Sequence, residues 1–435
     1  VTIDLRTLES ITTISNFDVF GLRPELIRAV NDIGFTEPTP VQLAAIPAAM
    51  NGRDVLASAP TGSGKSAAFG LPLLQAIAAL PRGRTHALIL APTRELAAQI
   101  AEHLQSLARH TPVKVAAIYG GVGFTPQIGA FRRGTDIIVA TPGRLLDHFN
   151  QGTAVLDGIS FLVLDEADRM LDMGFLPDVR RVLKRLPTKR QTLFFSATIP
   201  PAIAALVSEL LHDPVRVDLQ PRGGTPAAGI TQIVYTIEQN RKNDLLLKLL
   251  EGNTIYSAIV FTRTKSRANR LAATLGKYDV KADRIHGDRS QAQRTRALAD
   301  FKDGKLRVLV ATDIAARGID VADLGHVINY DVPMVPEDYI HRVGRTARAK
   351  AIGDAITFVG NDEEKYFAQI ERALGKRLDR SKNPELPPPS QAATPPPAPP
   401  RRPGSRPFNG ASRTGGGQSH GASGDRRPRR AQTAG

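Results

Sequence analysis

Short runs of aliphatic and β-branched residues alternate with longer amphipathic stretches along most of the chain. DVLASA (54–59), HALILA (86–91), DIIVA (136–140), FLVLDEAD (161–168) and TLFFSAT (192–198) read as strands. TRELAAQIAEHLQSLARH (93–110), between the second and third of these, reads as a helix, with its apolar positions recurring every three or four residues. Runs that stay apolar without alternation suit strands covered on both faces, so a mostly parallel sheet is expected. Strand–helix–strand alternation then predicts a doubly wound α/β domain.

The rhythm pauses at QPRGGTPAAG (220–229) and resumes with QIVYTI (232–237), AIVFTRTK (258–265), LRVLVATD (306–313), HVINYD (326–331) and DAITFVG (354–360). The chain therefore divides into an N-terminal extension (1–16), a first α/β domain (17–219), a linker (220–229) and a second α/β domain (230–378) of similar size. Beyond residue 378 the periodicity stops. PELPPPSQAATPPPAPPRRPG is proline-rich, and NGASRTGGGQSHGASGDRRPRRAQTAG is rich in glycine, serine and arginine. Neither stretch can bury enough apolar surface to offset its ordering entropy, so 379–435 is expected to be a disordered basic tail.

Composition narrows the classes. A chain of 435 residues is long enough for two or three domains. Of the formal +15, nine Lys/Arg against two Asp/Glu from residue 381 onward supply +7, which leaves the body mildly basic and the tail strongly so. Phosphate-bearing or acidic partners suit that balance. There is no cysteine, which removes disulfides, thiolate metal sites and cysteine nucleophiles together. VTIDLRTLES lacks a basic region followed by an apolar one, and no apolar run approaches the ~18 residues of a membrane span. The expectation is a soluble, monomeric, cytoplasmic protein with no membrane partner.

Candidate chemistry starts at LASAPTGSGKSAAFGLP (56–72). A strand end, a Gly-rich turn (Ala59, Pro60, Thr61, Gly62, Ser63, Gly64) and a helix beginning near Lys65 give the context of a phosphate-binding loop, although the usual spacing would place glycine at Ala59. Backbone N–H groups of Thr61 to Ser66 can wrap a phosphate at the helix N-terminus, Lys65 adds a point charge, and the Ser66 hydroxyl can hold Mg2+. A chance Gly-rich turn is the competing reading. FLVLDEAD then supplies Asp165, to meet Mg2+ through water, and Glu166, to orient or deprotonate an attacking water. An acidic helix cap would explain one of these acids but not the pair. Together they predict hydrolysis of a nucleoside triphosphate.

DEAD (165–168), SAT (196–198) and HRVGRTAR (341–348), in order between Phe17 and about residue 375, resemble the DEAD-box ATP-dependent RNA helicases. The resemblance implies two tandem RecA-like domains, with ATP and Mg2+ as cofactors. It makes GFTEPTPVQ (34–42) a Q motif, in which Gln42 reads the adenine edge and Phe17 stacks on the base. Ala59 fits the family's A-x-T-G-S-G-K loop. Arg345 and Arg348 are implied as arginine fingers, and His341 and Arg342 as bridges to Asp168 of the acidic motif and to Ser196 and Thr198. Gly318 and Asp320 would line the nucleotide's other side. Ala347 departs from the family's usual glycine. A short first domain, Pro-rich junction and basic Gly/Arg tail make the bacterial RhlE-type members the nearest likeness.

Several loops read as a grip on a sugar-phosphate backbone. In the first domain these are Pro92, Thr93 and Arg94, then Gly120 and Gly121, then Thr141, Pro142, Gly143 and Arg144. In the second they are Thr262 and Arg263, Arg294, and Thr312 and Asp313. Singly each is an ordinary helix cap or turn, and only their ordered recurrence makes a track. Aromatics are 5% of the chain and Trp is absent, so base stacking is not the expected mode and sequence preference should be weak. RNA is the implied partner, with ribosomal particles or RNA-decay proteins beside it. Unwinding or remodelling of short duplexes by ATP-driven closure and strand bending is the implied action, an ATP-gated RNA clamp the alternative.

Overall fold

A computed structural model of the chain describes residues 2–4, 16–60, 62–219, 230–252, 254–316, 324–346 and 353–388. In the first lobe the strands are β1 (Thr2–Asp4), β2 (Val55–Ser58), β3 (Ala87–Leu90), β4 (Val115–Ile118), β5 (Ile137–Ala140), β6 (Phe161–Leu164), β7 (Gln191–Ser196) and β8 (Val215–Asp218). They form one sheet in the order β1-β8-β2-β7-β6-β3-β5-β4 with every pairing parallel. In the second lobe β9 (Ile230–Thr236), β10 (Ala258–Phe261), β11 (Ala282–Ile285), β12 (Val308–Ala311), β13 (His326–Asn329), β14 (Gly353–Val359) and β15 (Arg380–Ser381) follow the order β11-β12-β10-β13-β14-β9-β15, again all parallel.

The unbroken apolar runs have a simple origin. Side chains of a strand alternate between its two faces, and helices cover both. Ala87 and Ile89 of β3, with Ile137 and Val139 of β5, face one core under the helices Pro40–Met50, Lys65–Ile77 and Arg94–Leu107. Leu88, Leu90, Ile138 and Ala140 face the other, closed by the helices Pro142–Asn150 and Leu176–Leu183. The second lobe repeats this, with Val260 and Val310 on one side of its sheet and Ile259 and Leu309 on the other. A fully buried Leu or Ile contributes about 1.5–3 kcal/mol, so each central strand anchors both layers at once.

The strands that the apolar pattern did not predict, β4, β8, β11, β15 and β1, lie at or next to a sheet edge. β8 (VRVD) alternates buried and exposed positions, and β4 (VAAI) and β11 (ADRI) are only partly covered. An edge strand packs fewer helices, so its composition carries less signal. The same reason moves one boundary. Periodicity ends near residue 379, yet β15 pairs with β9, Asn383 Nδ2 donates to Thr236 O at 2.8 Å and Arg241 Nη2 to Pro387 O at 2.5 Å. The chain thus stays against the second lobe to about residue 387. The linker 220–229, most of the N-terminal extension and the tail from 389 lie outside the described residues.

Candidate active site

Parallel strands deliver their following loops to one edge of the sheet, where open α/β sheets bind ligands. β2 leads into Ala59, Pro60, Gly62, Ser63 and Gly64, and the helix Lys65–Ile77 starts directly after them. Lys65 and Ser66 are its first two residues. Lys65 is buried, and its Nζ donates to the carbonyls of Ala59 at 3.0 Å and Pro60 at 2.9 Å. Burial lowers its pKa against the opposing pull of Asp165, Glu166 and Asp168. The loop is clamped from the side by Gln42, whose Nε2 donates to Gly64 O at 3.1 Å and whose Oε1 accepts from Thr39 N at 2.9 Å. A Cβ at Gly64, where φ is +91°, would lie 2.6 Å from that Nε2, so only glycine fits. Phe17 is buried against Phe35, with ring centroids 6.2 Å apart. Thr61 lies outside the described residues.

β6 ends in the acidic motif. Asp165 is buried, accepts from Glu166 N at 3.0 Å, and has its pKa pushed up to about 7, chiefly by burial, against the nearby Lys65 charge. Glu166 occupies the left-handed region at φ 52°. Burial alone would raise its pKa, but the guanidinium of Arg169, with Lys65 and Arg345, outweighs that and holds it below the ordinary value. Arg169 Nη1 donates to Glu166 Oε2 at 2.6 Å. Sequence reading did not single out Arg169; its place one helical turn after Glu166 was the available signal. Asp168 Oδ2 accepts from Thr198 N at 2.9 Å and Thr198 Oγ1 at 3.1 Å, while Ser196 Oγ accepts from Asp168 N at 3.1 Å. The acidic and SAT motifs are thus locked together inside the first lobe.

From the second lobe, Arg345 is buried and close enough to Glu166 to lower its pKa. His341 lines, with Asp168 and Thr198, a cavity of ≈ 650 Å3 between the lobes. Arg342 does not make the expected bridge. Its Nε and Nη2 pair with the two oxygens of Asp313 at 2.5 and 2.8 Å, Nη1 donates to Asp331 O at 2.7 Å, and its guanidinium lies 5.0 Å from the Phe261 ring centre. It is a buried strut of the second lobe, and it occupies the carboxylate of Asp313 that was expected at the backbone track. Gly318, Asp320, Ala347 and Arg348 lie outside the described residues.

The track residues gather at the same sheet edge. Thr93 caps the helix Arg94–Leu107 by accepting from Leu96 N at 3.2 Å, and the Arg94 guanidinium lies over Gly120 and Gly121. A Cβ at Gly121, where φ is +85°, would sit 2.2 Å from Arg94 Nη1, which explains the second glycine of the pair. Thr141 precedes the helix Pro142–Asn150, Gly143 has open space where a Cβ would be, and Arg144 Nη2 donates to Val122 O at 2.8 Å. In the second lobe Thr262 Oγ1 donates to Thr264 O at 3.4 Å and Thr312 N to Ile285 O at 3.3 Å. Arg263 is held by Glu363 Oε1 at 2.8 Å and Val332 O at 3.2 Å. Arg294 reaches across the lobes, its Nη2 2.8 Å from Glu95 Oε2, and Gln291 Nε2 donates to Glu95 Oε1 at 2.9 Å. Glu95 and Gln291 lie in the same stretches as Arg94 and Arg294, PTREL (92–96) and QAQR (291–294), but were not singled out, because nothing in either stretch alone shows that they meet.

Among the described residues no helix is long and apolar enough to cross a membrane. Residues 39–206 match the DEAD/DEAH box helicase family model, and 241–350 match the helicase conserved C-terminal domain. The chain is 44% identical over 365 residues to the ATP-dependent RNA helicase CshA of Listeria monocytogenes, covering 84% of this chain and 70% of the relative. It is 43% identical over 371 residues to the DEAD-box ATP-dependent RNA helicase CshA of Bacillus subtilis, covering 85% and 74%. A solved structure of S. cerevisiae Dbp5 bound to RNA and ADP BeF3 is similar, with a TM-score of 0.75 at 31% identity over 84% of this chain and 94% of that one. These relatives carry the name CshA, and the expected RhlE-type likeness gives way to it. That likeness leaned on the short first domain, the Pro-rich junction and the basic tail. A phosphate loop facing an acidic strand end across from a second-lobe arginine, on two RecA-like sheets, agrees with these matches: the chain belongs to the DEAD-box ATP-dependent RNA helicases.

Proposed function

We propose that the chain is an RNA-stimulated ATPase that remodels short RNA duplexes and ribonucleoprotein by closing its lobes on ATP, in a CshA-like role. Lys65 swings from the Ala59 and Pro60 carbonyls onto the outer phosphates, Gln42 and Phe17 hold the adenine, and Glu166 orients and deprotonates the attacking water. Arg345, together with Arg348, neutralises charge growing on the γ-phosphate. The observation that carries this reading is Glu166: a buried base of one lobe kept ionised in part by Arg345 of the other. Hydrolysis is then tied to lobe closure. Ser66 and Asp165 fit Mg2+, which takes one or two protein oxygens and keeps several waters; a buried carboxyl that burial holds at about 7 gains from a cation beside it. When bound, Mg2+ would offset the negative charge of the phosphates.

The grip on RNA falls to Pro92, Thr93, Arg94, Gly120, Gly121, Thr141, Pro142, Gly143 and Arg144 in the first lobe. Thr262, Arg263 and Thr312 serve it in the second. Contacts of this kind hold the backbone without reading bases. A second reading, an ATP-gated RNA clamp with little strand separation, draws on Glu95, which ties Arg294 and Gln291 of the other lobe and would hold the lobes shut. The test is ATP hydrolysis with and without RNA, run beside a short-duplex unwinding assay. Equal turnover without RNA would overturn the proposal. A slow RNA off-rate with a non-hydrolysable ATP analogue, without strand separation, would favour the clamp.

A further inference from the structure

Behind the expected RNA-facing loops of the first lobe runs a polar chain that the nucleotide chemistry does not use. Gln127 lies buried on the helix Phe124–Arg132. Its Nε2 donates to Tyr119 O at 3.0 Å, and this fixes the amide so that Oε1 faces the other way. That single oxygen accepts from Arg144 Nε at 3.2 Å and contacts His148 Nε2 at 3.0 Å. An amide oxygen can only accept, so His148 Nε2 carries a proton. Its Nδ1 meets Thr153 Oγ1 at 2.8 Å, and the fully buried ring packs between Phe124 and Phe131, with centroids 4.9 and 5.1 Å away. Burial and the neighbouring Arg144 lower the pKa of His148, so the ring is neutral and does not repel that arginine.

Arg144 is thereby held on three sides. Its Nε is tied to Gln127, its Nη2 to Val122 O at 2.8 Å, and its guanidinium carbon lies over Phe124, 3.3 Å from the ring centre. These ties leave Nη1 as the guanidinium nitrogen still available to a ligand. A guanidinium fixed in this way loses little side-chain entropy when it meets a phosphate, whereas a free arginine gives up as much as about 2 kcal/mol of rotamer freedom.

We propose that Gln127 and His148 are positioning residues that act through Arg144, holding its guanidinium in the one orientation that meets an RNA phosphate. This rests on the reading of Arg144 as an RNA contact. The experiment measures RNA-stimulated ATP hydrolysis of the full chain against single-stranded RNA concentration at saturating ATP. Arg144→Ala should raise the RNA concentration for half-maximal stimulation by about tenfold, the scale of one charge-assisted bond. Gln127→Leu should raise it about three- to tenfold while maximal turnover stays within about twofold, a split that general unfolding does not give. The double variant should be no worse than Arg144→Ala alone, because a residue acting through another adds nothing once that one is gone.

Multiplied effects in the double variant, or a wild-type value for Gln127→Leu beside an impaired Arg144→Ala, overturn the proposal. If Arg144→Ala itself behaves as wild type, the RNA contact falls and the positioning role falls with it. Should Gln127→Leu fail to fold, His148→Phe, which keeps an aromatic ring between Phe124 and Phe131, serves in its place. It should raise the half-maximal RNA concentration at least about twofold, and a wild-type value overturns the idea.

Discussion

Replacing Arg294 with alanine tests whether the lobes are joined by side chains rather than by ligand alone. In the joined state Arg294 and Glu95 sit 2.8 Å apart with side-chain exposures of 11% and 5%. Gln291 contributes a further hydrogen bond to the same carboxylate. One-sided loss of a buried pair costs about 3–5 kcal/mol because the surviving charge stays desolvated. Here the cost is smaller, since parting the lobes returns Glu95 to water, and about 2 kcal/mol is expected. The penalty therefore falls on the joined state and leaves each lobe's own stability intact. A shift of that size lowers the joined-to-parted ratio about 30-fold.

The assay is a fluorescence distance reporter with one label in each lobe, read with RNA and a non-hydrolysable ATP analogue, beside RNA affinity under the same conditions. Arg294→Ala and Glu95→Ala should each reduce the joined population and weaken analogue-dependent RNA binding. The double variant should lose about 2 kcal/mol less than the sum of the singles. If Arg294 were simply an RNA contact, Glu95→Ala would leave affinity unchanged and the two effects would add. That result would refute the ion pair as a lobe latch.

Three further outcomes are expected. Glu166→Gln should bind ATP and RNA normally yet hydrolyse about 10²–10⁴-fold more slowly, as loss of a general base does; single-turnover hydrolysis checks it, and full turnover would remove Glu166 from the role. Gly121→Ala should weaken RNA-stimulated turnover and cost about 1–2 kcal/mol in thermal stability, since φ is +85° and the new methyl would lie 2.2 Å from Arg94 Nη1. A chain ending at Pro388, which leaves β15 in place, should bind RNA more weakly and with a salt slope flatter by about 0.7 log units per lost phosphate contact. Affinity measured across a salt series decides this last point, and an unchanged slope would remove the basic tail from RNA binding.

Much of the body was legible in the linear pattern because a central parallel strand needs apolar residues on both faces. FLVL before Asp165 and TLFFS before Ala197 could hardly be anything else, and the motifs sit where those strands stop. Strands at or next to a sheet edge escaped notice: VRVD of β8 and ADRI of β11 are covered by too little to require a distinctive composition. The phosphate loop and the acidic pair were fixed by local spacing, since each works within a few residues of its own strand.

The arginines were another matter. A sequence shows that Arg294, Arg342 and Arg144 follow or precede certain strands, but a guanidinium reaches far and pairs with whichever carboxylate or carbonyl the packing brings near. Tertiary structure gave Arg342 to Asp313 within its own lobe, Arg294 to Glu95 across the gap, and Arg144 to Gln127 and Phe124. Local hydrophobic periodicity determines which strand a loop follows. The partner of a long charged side chain is settled only when elements distant in the chain have packed, because the energy of that choice lies in the contact itself.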